Sequence, residues 1–291
     1  REEGYRDYYV QSIAYGGGAR SAGALGLMAS FASRADAGFS PDHLATIRAV
    51  LPAFALAFMA QANTRMTRRV LSTYLGDRPA QSVLSGQITR GETQAMQAVI
   101  WMSDIEGYTE AADRMRREGI LEFLNAYAEI VADQVYSHGG EVLKFIGDGV
   151  LAVFDSGADA GSAARAALEA ARKVQQQVAA LRETREAAGK PAADIVISLH
   201  HGDVLFGNFG SADRLDFTAL GSAVNEASRL VTLAKTLEQT VICSSAFKAA
   251  LGGHDEALVS LGRYVLRSVS GAHHLYTIDP ERITPPEGEA R

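Results

Sequence analysis

The sequence predicts an α+β protein, an antiparallel-rich sandwich, and three observations lead there. Apolar runs of strand length recur along the second half of the chain, stretches of helical period alternate with them, and several adjacent runs are joined by turns too short for crossover helices. The clearest case is Glu141-Val-Leu-Lys-Phe-Ile-Gly-Asp-Gly-Val-Leu-Ala-Val-Phe154, where two apolar runs flank Gly147-Asp148-Gly149 and read as a tight hairpin. A carboxylate held at such a turn is poorly placed for a core and well placed to grip an ion at the rim.

A chain of 291 residues suits one to two domains. Its net charge of -6, with no clustered basic face, argues against nucleic acid as the principal partner. The single cysteine, Cys243, rules out an internal disulfide and reads as a buried strand thiol, so a cytoplasmic location is the default. Ala22 to Ala32 and Ala49 to Ala62 contain too few continuous apolar residues to predict a membrane span, and no signal peptide is visible. The chain opens on Arg1 in place of Met, which reads as a piece of a longer protein whose upstream part, a membrane anchor included, would not be seen.

Taken in order, Tyr5 to Tyr15 and Ala24 to Ser33 read as strands, with Gly16 to Gly18 as a plain turn, since no Lys-Ser/Thr follows to make a phosphate cradle. Ser40-Pro41-Asp42 supplies a capping hydroxyl, a proline at the first helical position and an acid at the positive dipole end. The helix they open is expected to run to Tyr74, with Pro52 as a point of kinking. Its Arg65, Arg68 and Arg69 form a solvated face, while Met66, Val70 and Tyr74 at spacing four would suit a helix pair in a dimer. Gly76-Asp-Arg-Pro79 stops it, and a polar connector leads to the second domain. The expected division is 1–39 strands, 40–76 long helix, 77–94 connector, 95–279 main domain and 280–291 disordered tail.

Within the main domain, Ala98 to Asp104 is a strand that passes through a Gly-bearing loop into a helical stretch. Ile120, Phe123, Leu124, Tyr127, Val131 and Val135 mark a packing helix that ends at Gly139-Gly140. Ala160 to Ala188 is a second amphipathic helix. Ile195 to His200 is a strand followed by glycines, over 201–210, where strands turn or another backbone comes close. His200 and His201 are adjacent and face opposite ways on a strand, so they cannot form a paired metal site. Leu215 to Leu220 (strand), Ala223 to Lys235 (helix), Thr240 to Cys243 (strand), Ser245 to Leu251 (helix), Leu258 to Val269 and His274 to Ile278 (strands) complete the domain.

Two carboxylates at strand ends, Asp104 and Asp148, with water and phosphate as further ligands, suit Mg²⁺ or Mn²⁺. The backbone N–H groups of the strand-to-helix junction after Asp104 can hold phosphate oxygens. Asn225 and Arg229 lie one helical turn apart and project from one face; by spacing alone, a surface amide and an exposed arginine are the favoured reading. Lys144 and Thr218, read alone, remain an edge-strand lysine and a residue of β propensity.

Three ordered motifs, Trp101-Met-Ser-Asp-Ile-Glu-Gly-Tyr-Thr109, Lys144-Phe-Ile-Gly-Asp148 and Asp216-Phe-Thr-Ala-Leu-Gly-Ser-Ala-Val-Asn-Glu-Ala-Ser-Arg229, together resemble the catalytic domain of class III nucleotidyl cyclases over about residues 95 to 279. The resemblance implies a ferredoxin-like sandwich and the conversion of ATP to cyclic AMP and pyrophosphate. It implies two divalent ions per site on Asp104, Asp148 and the backbone carbonyl of Ile105, with Asn225 and Arg229 as catalytic residues. It also implies purine contacts from Lys144 and Thr218, and phosphate contacts from Gly107, Tyr108, Thr109 and Arg267. Guanylate cyclases typically carry Glu at the Lys144 position, so ATP is the expected substrate; a guanylate cyclase and a silent nucleotide-binding dimer are the alternatives. Thr218, where many relatives carry Asp, resembles a subgroup linked to bicarbonate responsiveness. Ser222 in place of a common Asp, and Met102 in place of a common Phe, depart from the pattern without removing a catalytic group. In the family, the aspartates of one subunit face the Asn and Arg of the other, which implies a homodimer with composite sites. The N-terminal strand, turn, strand, helix order, with Gly38-Phe-Ser-Pro-Asp42 opening the helix, is similar to the C-terminal half of a GAF-type sensor domain, and implies an upstream sensor acting through a signalling helix.

Overall fold

The computed structural model of the chain describes residues 4–14, 26–252, 258–267, 269 and 271–279. They divide into two compact units, residues 1–70 and 71–291.

In the first unit, β1 (Asp7–Ala14) and β2 (Gly26–Ser33) pair antiparallel in an unbroken register from Asp7 opposite Ser33 to Ala14 opposite Gly26. The expected Gly16 to Gly18 turn lies outside the described residues. α1 (Pro41–Leu75) starts where the Ser40 hydroxyl accepts from the backbone N–H of His43 at 3.2 Å, with Asp42 against the dipole. Pro52 sits inside α1 without ending it. Arg48 donates to the Tyr9 hydroxyl at 3.0 Å, Leu51 and Ala55 are buried, and β2 and α1 bound an apolar cavity of about 510 Å³ edged by Met28, Phe31, Val50 and Phe54. By length and composition α1 is apolar enough to cross a membrane, which counting continuous apolar residues did not predict; the core helix of a soluble domain passes the same test.

In the second unit, the expected connector contains a helix, α2 (Asp77–Leu84). Asp77 lies in its first turn and Pro79 sits where a helix has no use for an N–H. An eight-stranded sheet follows: β3 (Thr93–Ile105), β4 (Glu141–Ile146), β5 (Gly149–Asp155), β6 (Ile195–Gly210), β7 (Leu215–Leu220), β8 (Val241–Ser244), β9 (Leu258–Val265) and β10 (Ala272–Ile278). Its order is β4-β5-β3-β6-β8-β10-β9, with β7 paired to β6, and among the described residues only the β6 to β8 pairing of this sheet is parallel. The helices are α3 (Tyr108–Arg114), α4 (Arg117–Ser137), α5 (Ala160–Ala187), α6 (Ser222–Thr236) and α7 (Ser245–Leu251). This is the α+β, antiparallel-rich sandwich that the sequence predicts.

Alternation along β3 sends successive side chains into different cores. Val99 and Trp101 meet Phe123, Tyr127 and Val131 of α4, with α5 and α7 behind. Ala98 and Ile100 instead join Leu151, Phe217 of β7 and Ala227 of α6. The far end of α6 packs Leu230 and Ala234 on Val196, Ile242 and Leu275.

Two expectations need correction. The strand expected over Ile195 to His200 runs on to Gly210. A Cβ at Gly207 would overlap the Glu92 carbonyl oxygen, and one at Gly210 the Arg214 carbonyl oxygen, so these glycines admit neighbouring backbone. The ninth strand ends at Val265, four residues short of Val269, and Arg267 lies beyond it. The expected 280–291 tail lies outside the described residues. His200 and His201 bond in opposite directions, His200 to Ser244 and His201 to Ser156, as adjacent strand residues must.

Candidate active site

Asp104 is the penultimate residue of β3, and Asp148 occupies the two-residue turn between β4 and β5. Because β5 pairs with β3, with Ser103 opposite Val150, the turn is delivered to the end of β3. Gly149 makes that approach possible: a Cβ there would stand 2.8 Å from the Ser103 carbonyl oxygen and 3.6 Å from Oδ1 of Asp104. The two carboxyl groups are close enough for Asp104 to disfavour ionisation of Asp148.

Their electrostatics reflect that closeness. Burial first, and then the Asp104 carboxylate, push the Asp148 acid up to about 6, against a weaker opposing pull from Lys235. Two carboxylates forced together, offering only oxygen donors, fit a hard divalent cation such as Mg²⁺ or Mn²⁺. Ile105, buried and next in the chain, offers its carbonyl at the same strand end. Among the described residues no cluster of three His, Cys, Asp or Glu side chains exists, so water and substrate oxygens would have to complete any coordination.

Two charged partners at the site escaped the sequence. Lys235, in the last turn of α6, donates to Oδ2 of Asp104 at 2.6 Å, with side chains 34% and 29% exposed. Asp216 on β7 holds the ammonium of Lys144 on β4 in an ion pair. Thr218, two residues from Asp216 on the same strand and therefore on its face, is buried at 4% exposure. Lys144 and Thr218 are thereby gathered at one place, with Asp216 as the unforeseen third member.

Asn225 and Arg229 are exposed on α6, and among the described residues neither side chain has a hydrogen bond or ion pair. One chain therefore does not bring them into contact with Asp104 and Asp148. Gly107 adopts a left-handed conformation, φ 66°, at the start of α3, with Tyr108 half-buried against Phe123 and Thr109 exposed. Arg267 is exposed.

The hairpin that carries Asp148 is also tied to α2. The backbone N–H of Arg78 donates to Oε1 of Glu141 at 2.8 Å, its guanidinium reaches Asp155 at 2.7 Å, and the same guanidinium lies 5.0 Å from the centre of the Phe206 ring. Burial pushes the Glu141 acid upward.

Residues 92–279 match the family described as the adenylate and guanylate cyclase catalytic domain. The chain belongs to that family. Among curated cyclases, it is 34% identical over 149 residues to an adenylate cyclase of Anabaena cylindrica, covering 50% of this chain and 29% of the relative. It is 29% identical over 147 residues to adenylate cyclase 1 of Rhizobium meliloti, covering 50% of this chain and 22% of that protein. The chain thus spans less than a third of the length of these two relatives. Among solved structures it resembles a bacterial light-regulated adenylyl cyclase, with a TM-score of 0.66 at 27% identity over 79% of this chain and 65% of that one. The adenylyl cyclase CyaB from P. aeruginosa gives 0.59 at 27% identity, covering 65% and 96%. The guanylyl cyclase Cya2, at 22% identity and 0.56 over 64% and 93%, shares the fold.

Proposed function

We propose that this cyclase domain converts ATP to cyclic AMP and pyrophosphate, in a homodimer whose two sites are each assembled from both protomers. The observation that carries the choice of ATP is the Lys144 ammonium, fixed by Asp216 beside Thr218. An ammonium donates to the adenine ring nitrogen, and a threonine hydroxyl accepts from the exocyclic amine; guanine offers the reverse pattern on that edge. The adenylate cyclases among its relatives support the same choice.

Asp104 and Asp148, with the Ile105 carbonyl, would hold divalent cations, which neutralise triphosphate charge and favour loss of the 3′-hydroxyl proton. Asn225 orients the ribose. The 3′-oxygen forms a bond to the α-phosphorus while the bond from that phosphorus to the bridging oxygen breaks, pyrophosphate leaves, and the hydroxyl proton passes to solvent. Arg229 donates to the α-phosphate oxygens as negative charge grows on them, a demand that an always-protonated fork of N–H groups meets. Gly107, Tyr108, Thr109 and Arg267 contact the remaining phosphate oxygens. The exposed, unpartnered state of Asn225 and Arg229 within one chain supports their use by a second protomer.

Product analysis from ATP and from GTP, each with Mg²⁺ or Mn²⁺, tests the reading beside the Asp148→Asn variant. Cyclic AMP from the wild type and none from the variant is the expected result. Cyclic GMP as the main product would replace the substrate, and no cyclic nucleotide from either would leave a binding module.

A further inference from the structure

The contact between Lys235 and Asp104 is unusual in its placement. α6 begins with the exposed Asn225 and Arg229 and ends by returning a lysine to the carboxylate that the proposed chemistry reserves for a divalent ion. The ammonium lies 2.6 Å from Oδ2 of Asp104, and its charge also acts on Asp148 in the hairpin turn. Other charged groups on α6 lie elsewhere: Glu226 approaches His200 at 3.8 Å.

We propose that Lys235 is a built-in stand-in for the cation, an ammonium that occupies the Asp104 position in the metal-free protein and must leave before a divalent ion can bind there. The inference rests on the reading of Asp104 and Asp148 as the metal site.

The argument is one of space and charge. A Mg²⁺-sized ion sits about 2.1 Å from a ligand oxygen. A nitrogen 2.6 Å from the same oxygen lies in the adjoining coordination space and repels the incoming ion. Lysine suits this role: its charge is compact, its four-carbon stem is flexible, and its anchor at the C-terminal end of a helix lets the head swing without unwinding the turn. With two carboxylates and one ammonium, the empty site carries a residual single negative charge rather than two. The fold can therefore bring Asp104 and Asp148 together without a metal, at the expense of weaker metal binding in the absence of substrate. The consequence would be a domain that stays metal-poor until a nucleotide arrives with its own cation.

The test is the affinity of the whole 291-residue chain for Mn²⁺ alone, without nucleotide, followed through the electron paramagnetic resonance signal of free Mn²⁺. Lys235→Met removes the charge and keeps the apolar stem; it should tighten Mn²⁺ binding by roughly fivefold or more, whereas Lys235→Arg, which keeps the charge, should tighten it far less. Circular dichroism and melting confirm that each variant is folded; if Lys235→Met does not fold, Lys235→Gln carries the same expectation. Unchanged or weaker Mn²⁺ binding by the folded neutral variant would overturn the proposal and leave Lys235 as an ordinary ion pair. Asp104→Asn separates the two readings. If it weakens Mn²⁺ binding while the neutral Lys235 variant changes nothing, only the role of Lys235 falls. If Asp104→Asn itself has no effect, the metal site has been placed wrongly.

Discussion

Asp148 is pushed up to about 6 from an ordinary 3.8 by burial and by Asp104. A carboxyl that holds its proton more tightly when folded favours the fold below the unfolded value, and that contribution is lost as pH rises through about 6. Asp148→Asn stays neutral throughout. In chelator, the variant should melt above wild type at pH 8, with the gap narrowing below about pH 6 and vanishing once pH falls below 3.8. Melting curves across that range decide it, and a gap that ignores pH would refute the assignment. Arg229 belongs to the same scale: Arg229→Ala should lower turnover by roughly 10²-fold or more with melting unchanged, as loss of a transition-state donor does. Near-normal turnover would remove it from the mechanism. Asp216 holds Lys144 and is expected to act on substrate choice rather than on rate. Asp216→Asn should reduce the ratio of kcat/KM for ATP over GTP by roughly tenfold, the scale of a lost hydrogen bond to a charged group. A ratio left intact would show that Lys144 needs no support.

At the scale of elements, the hairpin is where sequence and structure agree best. Two apolar runs around Gly147-Asp148-Gly149 can pair in only one way without exposing their cores, so the position of Asp148 is legible before any fold is known. Its two charged neighbours are not. Lys235 lies 131 residues from Asp104, and Asp216 lies 72 from Lys144. Each reads locally as an ordinary surface charge, and only the return of α6 and the pairing of β7 with β6 bring them in. The glycines of β6 left two readings open for a related reason: a glycine that turns the chain and one that makes room for a neighbouring carbonyl look alike in sequence, and the structure takes the second. α2 was hidden because Gly76 and Pro79 read as stops, although proline near a helix start is compatible with the first turn. The approach of β5 to β3 offers a direct test. Gly149→Ala puts a methyl 2.8 Å from the Ser103 carbonyl oxygen, so the turn must shift. Mn²⁺ affinity and turnover should fall together by roughly tenfold or more, on the general scale of a misplaced catalytic group. Wild-type values for both would mean that the turn has slack the packing does not reveal.

At the scale of the whole molecule, family membership was legible because three motifs occur in order, each with its side chains on the expected elements. The sandwich followed from the alternation of short strands and amphipathic helices. Within one chain Asp104 acts on Asp148, while Asn225 and Arg229 stand exposed on α6, and the proposed dimer would bring the two sets together. The measurement that bears most directly on this account is subunit mixing. Asp148→Ala chains and Arg229→Ala chains, each inactive alone, are combined after exchange has been demonstrated by differential labelling. With random exchange, half of the dimers are mixed and each regains one of two sites, so activity should recover to about a quarter of the wild-type level. Mixtures that exchange freely and stay inactive would contradict a site shared between protomers.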